Sequence, residues 1–166
     1  RTPGRWPHFI GWSDGGEYNW LGEEGCAVFA GRYGDPKARW FFSENGGELP
    51  ASITALAMPL PEVTDEIPPY PAARVYRDQP QAFFRTGIDE GDSLVALTAI
   101  RQVTCHGHAD RGSFVFEYGG ESLILDPGMI GYSDPASRQY QETFCHSTPT
   151  FSGRSQSAGT EEYDTR

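Results

Sequence analysis

The sequence predicts a mainly β, antiparallel and turn-rich domain preceded by a short helical segment. Three observations carry that class. Apolar residues alternate in strand fashion in several stretches between residues 81 and 151. The 20 Gly and 13 Pro supply the turns that such a meander needs. A Gly119-Gly120 pair separates two of the alternating stretches, the residue type that a two-residue primed turn requires.

Composition sets the outer bounds. A chain of 166 residues allows one domain, since domains run to about 100–150 residues. At 37% hydrophobic it can bury a core. With 13 Lys+Arg against 23 Asp+Glu, the net charge is −10 and the pI about 4.7. That balance excludes a non-specific nucleic-acid binder, which needs clustered cations. No apolar run is long enough to span a membrane. The start, Arg1-Thr2-Pro3-Gly4, shows no initiator Met and no apolar leader, so no signal peptide is visible. Three Cys cannot complete a disulfide framework.

The first element is a helix over Glu17–Ala30, with Trp20, Leu21, Cys26, Ala27, Phe29 and Ala30 as its apolar positions. Ser13 or Asp14 would cap it, Glu17 completing a capping box with Asp14. Gly31, Gly34 and Pro36 end it, and Lys37–Ser43 forms a second short helix. Two helices cannot make a core alone, so residues 1–47 read as the edge of a larger helical body. Trp6, Trp12, Trp20 and Trp40 fall in this zone, as packing residues or as platforms for sugar rings. Residues 48–80 are broken by prolines, Pro68-Pro69 among them, and read as a linker laid across a surface. Residues 81–166 then carry strands at Gln81–Arg85, Ser93–Thr104, Ser113–Tyr118, Glu121–Asp126 and about Tyr140–Phe151.

The hairpin around Gly119-Gly120 sets Tyr118 opposite Glu121 and Ser113 opposite Asp126. Phe114, Phe116 and Tyr118 then share a face with Leu123 and Leu125, while Val115 and Ile124 take the other. Apolar residues on both faces predict that these strands are central in a layered sheet. Asp126 is therefore expected to be buried, and a buried carboxylate needs a metal or a cation.

His106 and His108 stand at i and i+2, on one face if the segment is extended. Asp126 returns along the hairpin to the ladder end just beyond His108, and His146 follows on the next strand. Two imidazoles and a carboxylate, with a fourth position open, suit tetrahedral zinc. An isolated His-x-His in a loop is ordinarily solvated, and an Asp before Pro127-Gly128 ordinarily caps a turn. The conjunction, rather than any single residue, argues for a metal. Two metal motifs fail. The metallo-β-lactamase signature ends in His where Arg111 stands, and its Asp-x-Gly strand precedes the histidines instead of following them. A cupin needs Glu where this chain has Ser113.

What fits in order and spacing is His106-Gly107-His108-Ala109-Asp110-Arg111-Gly112-Ser113-Phe114, then Leu125-Asp126-Pro127-Gly128, Tyr132, Arg138-Gln139-Tyr140 and Thr143-Phe144-Cys145-His146-Ser147-Thr148. This series resembles the heparinase II/III-like polysaccharide lyases, with weaker likeness at Phe84-Arg85-Thr86-Gly87 and Ile10–Gly16. The resemblance implies a C-terminal antiparallel β-sandwich preceded by the end of an α/α toroid, with the active site in the cleft between them. It implies structural zinc held by His108, Asp126 and His146. It makes His106 the catalytic residue of this part, set against the uronate carboxylate, with Tyr132 and Arg138 as further substrate-binding residues. From the residues alone Tyr132 reads first as a packing or rim aromatic, and Arg138 equally as a structural cation.

The implied partners are a uronate-containing polysaccharide or oligosaccharide and the N-terminal toroid of the same protein, which carries the catalytic Tyr and its His or Asn partner. No nucleic acid and no membrane span belong to the reading, and the implied compartment is the periplasm or the exterior. Ser147 departs from the family, which has Asn after its last ligand. Cys105 and Cys145 adjoin two of the histidines and would point away from a metal; they are buried thiols or, in an exported protein, a disulfide. A non-catalytic zinc-stabilised β-sandwich that binds carbohydrate or a partner chain is the alternative. A metal-dependent hydrolase, abolished by chelation, is the third.

Overall fold

The computed structural model describes residues 10, 12–13, 15, 23–44, 46–49, 60–88, 91–100 and 106–156. The chain divides into two compact units, Trp20–Tyr70 and a second formed by Arg1–Asn19 with Pro71–Arg166.

In the first unit, α1 spans Glu23–Tyr33 and α2 spans Pro36–Glu44. The expected start of α1 at Glu17, with its capping residues Asp14 and Glu17, lies outside the described residues. Gly34 takes a left-handed φ of 65° and donates to the Ala30 carbonyl at 3.0 Å, closing the last turn. Asp35 then starts α2 at once: its Oδ1 accepts the Ala38 N–H at 2.8 Å, and Pro36 takes the first helical position. Pro36 was expected only to end α1; it also begins α2, because the missing N–H costs nothing there. Phe42 is fully buried. Residues 60–70 have no regular structure, as the prolines predict, and lie along α2. There the Thr64 N–H donates to Ser43 Oγ at 2.8 Å and the Tyr70 ring meets Trp40 edge-on at 5.8 Å.

The second unit is a five-stranded antiparallel meander in the order β1-β2-β3-β4-β5. The strands are β1 Ala73–Tyr76, β2 Gln81–Arg85, β3 Leu94–Thr98, β4 Phe114–Tyr118 and β5 Glu121–Ile124. The mainly β antiparallel class is as expected, but four details differ. First, β1 lies inside the segment expected to be linker, because Pro71 and Pro80 flank a proline-free run that pairs with β2. Second, β3 stops at Thr98 instead of reaching 104, and residues 101–105 are outside the described set.

Third, the hairpin register slips. Gly119 and Gly120 have φ of 59° and 83°, the positive values of a primed turn, and Tyr118 pairs with Glu121 as expected. Beyond Glu117↔Ser122, however, Phe116 pairs with Ile124, so Leu123 is an inserted bulge residue. Ile124 therefore opposes Phe116, and Leu123 and Leu125 are both 59% exposed. β5 ends the strand order and is not central. Fourth, no strand spans 140–151. Residues Ser137–Tyr140 form a helical turn, α3, and Thr143–Cys145 a 3₁₀ turn. The N–H groups of Cys145 and His146 bond back to the Glu142 and Thr143 carbonyls, which a ladder would have needed.

One face of the sheet is the buried one. Phe83, Ala96 and Val115 lie across from one another on neighbouring strands, and Ala96, Thr98, Ser113 and Val115 are buried there. Residues 12–15, expected in the helical zone, belong with this unit: Trp12 lies 5.9 Å from Phe83 between ring centroids, and Gly15 O accepts the Met129 N–H. Ala96 is 0% exposed between Phe83 and Val115. Ala96→Leu should overpack that row and cost about 1–3 kcal/mol, whereas the exposed Val75→Thr should change stability by less than about 0.5 kcal/mol. Urea midpoints of the two variants check the orientation of the sheet.

Candidate functional site

The site begins where β3 and β4 leave the sheet. Gly112 has a φ of 80°, and the Ser113 N–H closes a turn on the Asp110 carbonyl at 2.9 Å. The same turn is tied to β3 through Gly112 N–H to Thr98 O and Thr98 N–H to Ser113 O. This delivers Ser113 to the buried face, where its Oγ donates to Asp126 Oδ2 at 2.8 Å. Asp126 Oδ1 accepts the Gly128 N–H at 3.1 Å, so the carboxylate does cap its Pro-Gly turn. It also faces His146, whose Nδ1 lies 2.9 Å from Oδ2 and 3.1 Å from Oδ1. Asp126 thus both caps its turn and hydrogen-bonds His146.

His108, Asp126 and His146 are 2%, 7% and 7% exposed, and the two imidazole rings lie 5.3 Å apart between centroids. Burial alone lowers the tendency of His146 to take a proton. The hydrogen bond and charge of Asp126, the charge of Asp110 and the Tyr140 backbone outweigh it and hold its pKa above the ordinary value. His146 Nε2 is buried and has no hydrogen-bond partner among the described residues. The donor set of two nitrogens and one carboxylate suits zinc, and an orphaned imidazole nitrogen is a position a cation would satisfy. As the side chains stand, the Asp126 carboxylate is turned onto His146, and no three His, Cys, Asp or Glu among the described residues surround one metal-sized point.

His106 and His108 do not share a face. The segment turns at His106 instead of extending, so His106 is exposed while His108 is buried. His106 Nδ1 lies 2.6 Å from the Tyr132 hydroxyl, with the rings edge to face at 6.1 Å. Arg138 is exposed on α3, where its carbonyl accepts the Gln141 N–H at 3.3 Å. Cys145 is a half-buried free thiol. Burial first, then the charges of Glu142 and Asp126, push its pKa up, so it stays protonated. Cys105 lies outside the described residues.

The sequence pattern did not reveal what holds this loop. Thr143 is fully buried: its hydroxyl donates to Ala109 O at 2.8 Å and accepts the Gln156 N–H at 2.7 Å, and its own N–H donates to Ser155 Oγ at 3.0 Å. Gln156 pairs with the Arg111 backbone through both amide atoms, at 3.1 and 2.8 Å. From the other end of the chain, Ser13 donates both its N–H and its hydroxyl to Asp110 Oδ2, at 3.0 and 2.9 Å. Ser13 was expected to cap a helix; its φ of 54° aims both donors at Asp110 instead. Such contacts leave no periodic trace. The only available signal was a polar residue, Thr143, at a fixed offset before His146.

The comparisons now fall into place. Residues 88–165 match the family described as heparinase II/III-like, C-terminal. Among solved structures, the heparan sulfate lyase HepC of Pedobacter heparinus superposes with a TM-score of 0.62 at 17% identity, over 89% of this chain and 22% of that one. A mutant of the same lyase gives 0.63 at 16%, again over 89% and 22%. A heparinase III with methylated lysines gives 0.63 at 12%, over 89% and 21%. No curated protein matches the chain. The fold is the antiparallel β-sandwich type of these C-terminal domains. The match to the heparinase II/III-like C-terminal model is confined to residues 88–165, and the chain spans about a fifth of the length of these solved relatives. No helix among the described residues is long and apolar enough to cross a membrane.

Ser113→Ala should leave one Asp126 oxygen short of a donor and cost about 1–3 kcal/mol. Thr143→Val, which removes a buried donor and acceptor with little change of shape, should cost at least as much. Chemical denaturation of both against the parent chain checks this; if Thr143→Val matched the parent, the 141–156 segment would not hold the site loop.

Proposed function

We propose that this chain supplies the β side of a polysaccharide lyase that cleaves uronate-containing polysaccharide by β-elimination. The supporting observation is the exposed His106–Tyr132 pair, 2.6 Å apart and one turn from the buried His108, within the residues that match that C-terminal model. The reaction removes the proton alpha to the uronate carboxylate and expels the 4-O-linked sugar. Its difficult step is the enolate-like charge on that carboxylate, which hydrogen-bond donors aimed at it stabilise. His106 serves as such a donor, with Tyr132 bonded to its other ring edge and orienting it. Arg138, exposed on α3, is the local cation for a substrate anion. The proton transfers fall to a Tyr and His of the toroid, which other parts of the protein would contribute.

Zinc in this reading is structural. His108, Asp126 and His146 would hold it, and when bound it would fix the loop that carries His106 and neutralise the buried carboxylate. Binding it requires each ligating imidazole nitrogen to be free of its proton, so metal uptake by any protonated histidine would release protons. Export to the periplasm or the exterior goes with the reading, because that is where such polysaccharides are met.

The test incubates the full-length protein with heparan sulfate, hyaluronan and alginate and follows absorbance of the unsaturated product. Turnover on at least one is expected, and none on any overturns the reading. His106→Ala should lower kcat/KM by about a hundredfold or more with zinc content, measured by atomic emission, unchanged. The 166-residue chain by itself should be inactive.

A further inference from the structure

A second concentration of chemistry lies away from the histidines, at the β1–β2 end of the buried-side sheet face. Period-two alternation puts Arg74, Tyr76, Phe83 and Arg85 on that face, and the register confirms it by pairing Arg74 with Phe83 and Tyr76 with Gln81. With Arg77 from the turn, these side chains line a cavity of about 560 Å³. Three arginines lining one cavity, Arg74, Arg77 and Arg85, are unexpected in a chain of net charge −10. Lys37 is the only lysine in the sequence, so nearly all the cationic charge is planar and forked, suited to two-point contact with carboxylate or sulfate oxygens. One carboxylate, Asp78, lines the same cavity.

The walls are aromatic. Tyr76 meets Phe83 edge-on at 5.9 Å, and behind that wall Trp12, which does not line the cavity, lies 5.9 Å from Phe83 between ring centroids. Arg74 lies over the Tyr76 ring at 5.3 Å, which holds the guanidinium plane in place. Aromatic rings that pack against the apolar face of a sugar, ringed by arginines that reach its acidic substituents, recognise an anionic saccharide and leave a neutral one unpaired. The placement is consistent with a chain running toward the histidines. Gln81, on the cavity wall, pairs with Thr98, whose N–H bonds to Ser113 beside Asp126. Two strand spacings, roughly 10 Å, separate the cavity wall from the Ser113 backbone.

We propose that this arginine and aromatic cavity is a saccharide-binding subsite that holds the sulfate or carboxylate groups of an acidic oligosaccharide. The proposal rests on the lyase reading only for the class of polymer, and it is tested by binding, so its failure is distinct from a failure of turnover. The probes are a sulfated heparan-type tetrasaccharide, its desulfated counterpart and neutral chitotetraose, titrated calorimetrically into the full chain and into Arg74→Ala/Arg77→Ala. Both substitutions are at exposed positions, and circular dichroism confirms that the variant folds. The expected result is tight binding of an acidic probe, weakened about tenfold or more by the double substitution, with chitotetraose much weaker on both proteins. A loss confined to the sulfated probe assigns the site to sulfate; an equal loss on the desulfated probe assigns it to uronate. Either outcome supports the subsite. Acidic probes that fail to bind, bind no better than chitotetraose, or bind the double variant equally well overturn it.

Discussion

The buried carboxylate of Asp126 is the constraint on which the rest of the β unit depends. A carboxylate placed out of water must be met by donors or a cation, or it costs several kcal/mol. Here Ser113, the Gly128 N–H and His146 meet it from three separate parts of the chain. Each of those parts has then to be delivered by something else. Ser113 is set by the Asp110–Ser113 turn and its ties to β3, and His146 by a 3₁₀ turn. Gly128 is set by the Asx geometry of Asp126 itself. Losing one donor therefore unsettles three segments rather than one hydrogen bond.

The unit is unusual in what it buries. Among the described residues its buried apolar side chains are small, Ala96, Ala109 and Val115, whereas its buried polar ones are Thr98, His108, Asp110, Ser113, Asp126, Thr143 and His146. Specificity around the site is thus carried by a hydrogen-bond network, which is strong when complete and costly when one member is missing. Residues 106–113 and 141–156 lack long regular elements, yet the first is pinned by Ser13 through Asp110 and by Thr143 and Gln156 through its backbone. Such a network keeps the loop beside His106 in place without a large apolar core beneath it.

Much of this was legible in the sequence, and what was not has a physical reason. β2, β4 and the Gly119-Gly120 turn follow from alternation and from the positive φ that only glycine takes easily. Asp126 is buried beside Ser113 as expected, but not by the expected register: the bulge shifts the pairing by one residue, and the contact is made by the two side chains. The bulge at Leu123 did not follow, because a turn sets register only until a residue is inserted. The strand expected over 140–151 failed because alternation there coincides with Pro149 and with i→i+3 bonding around Thr143, which a period-two pattern does not sense. The Ser13–Asp110 and Thr143–Ala109 clamps are contacts between single residues far apart in sequence, and no local pattern encodes them. His106 and His108 were expected on one face; the turn at His106 sends one to solvent and the other inside.

We propose that His108, Asp126 and His146 form one buried node that would take up zinc. Thermal unfolding of the chain in excess zinc and after chelation, alongside Asp126→Asn, tests it most directly. At a zinc concentration about a hundredfold above Kd, the metal should stabilise the parent by roughly 2.7 kcal/mol, an increment that chelation removes and Asp126→Asn lacks. A parent chain that melts at the same temperature with and without zinc would contradict the account.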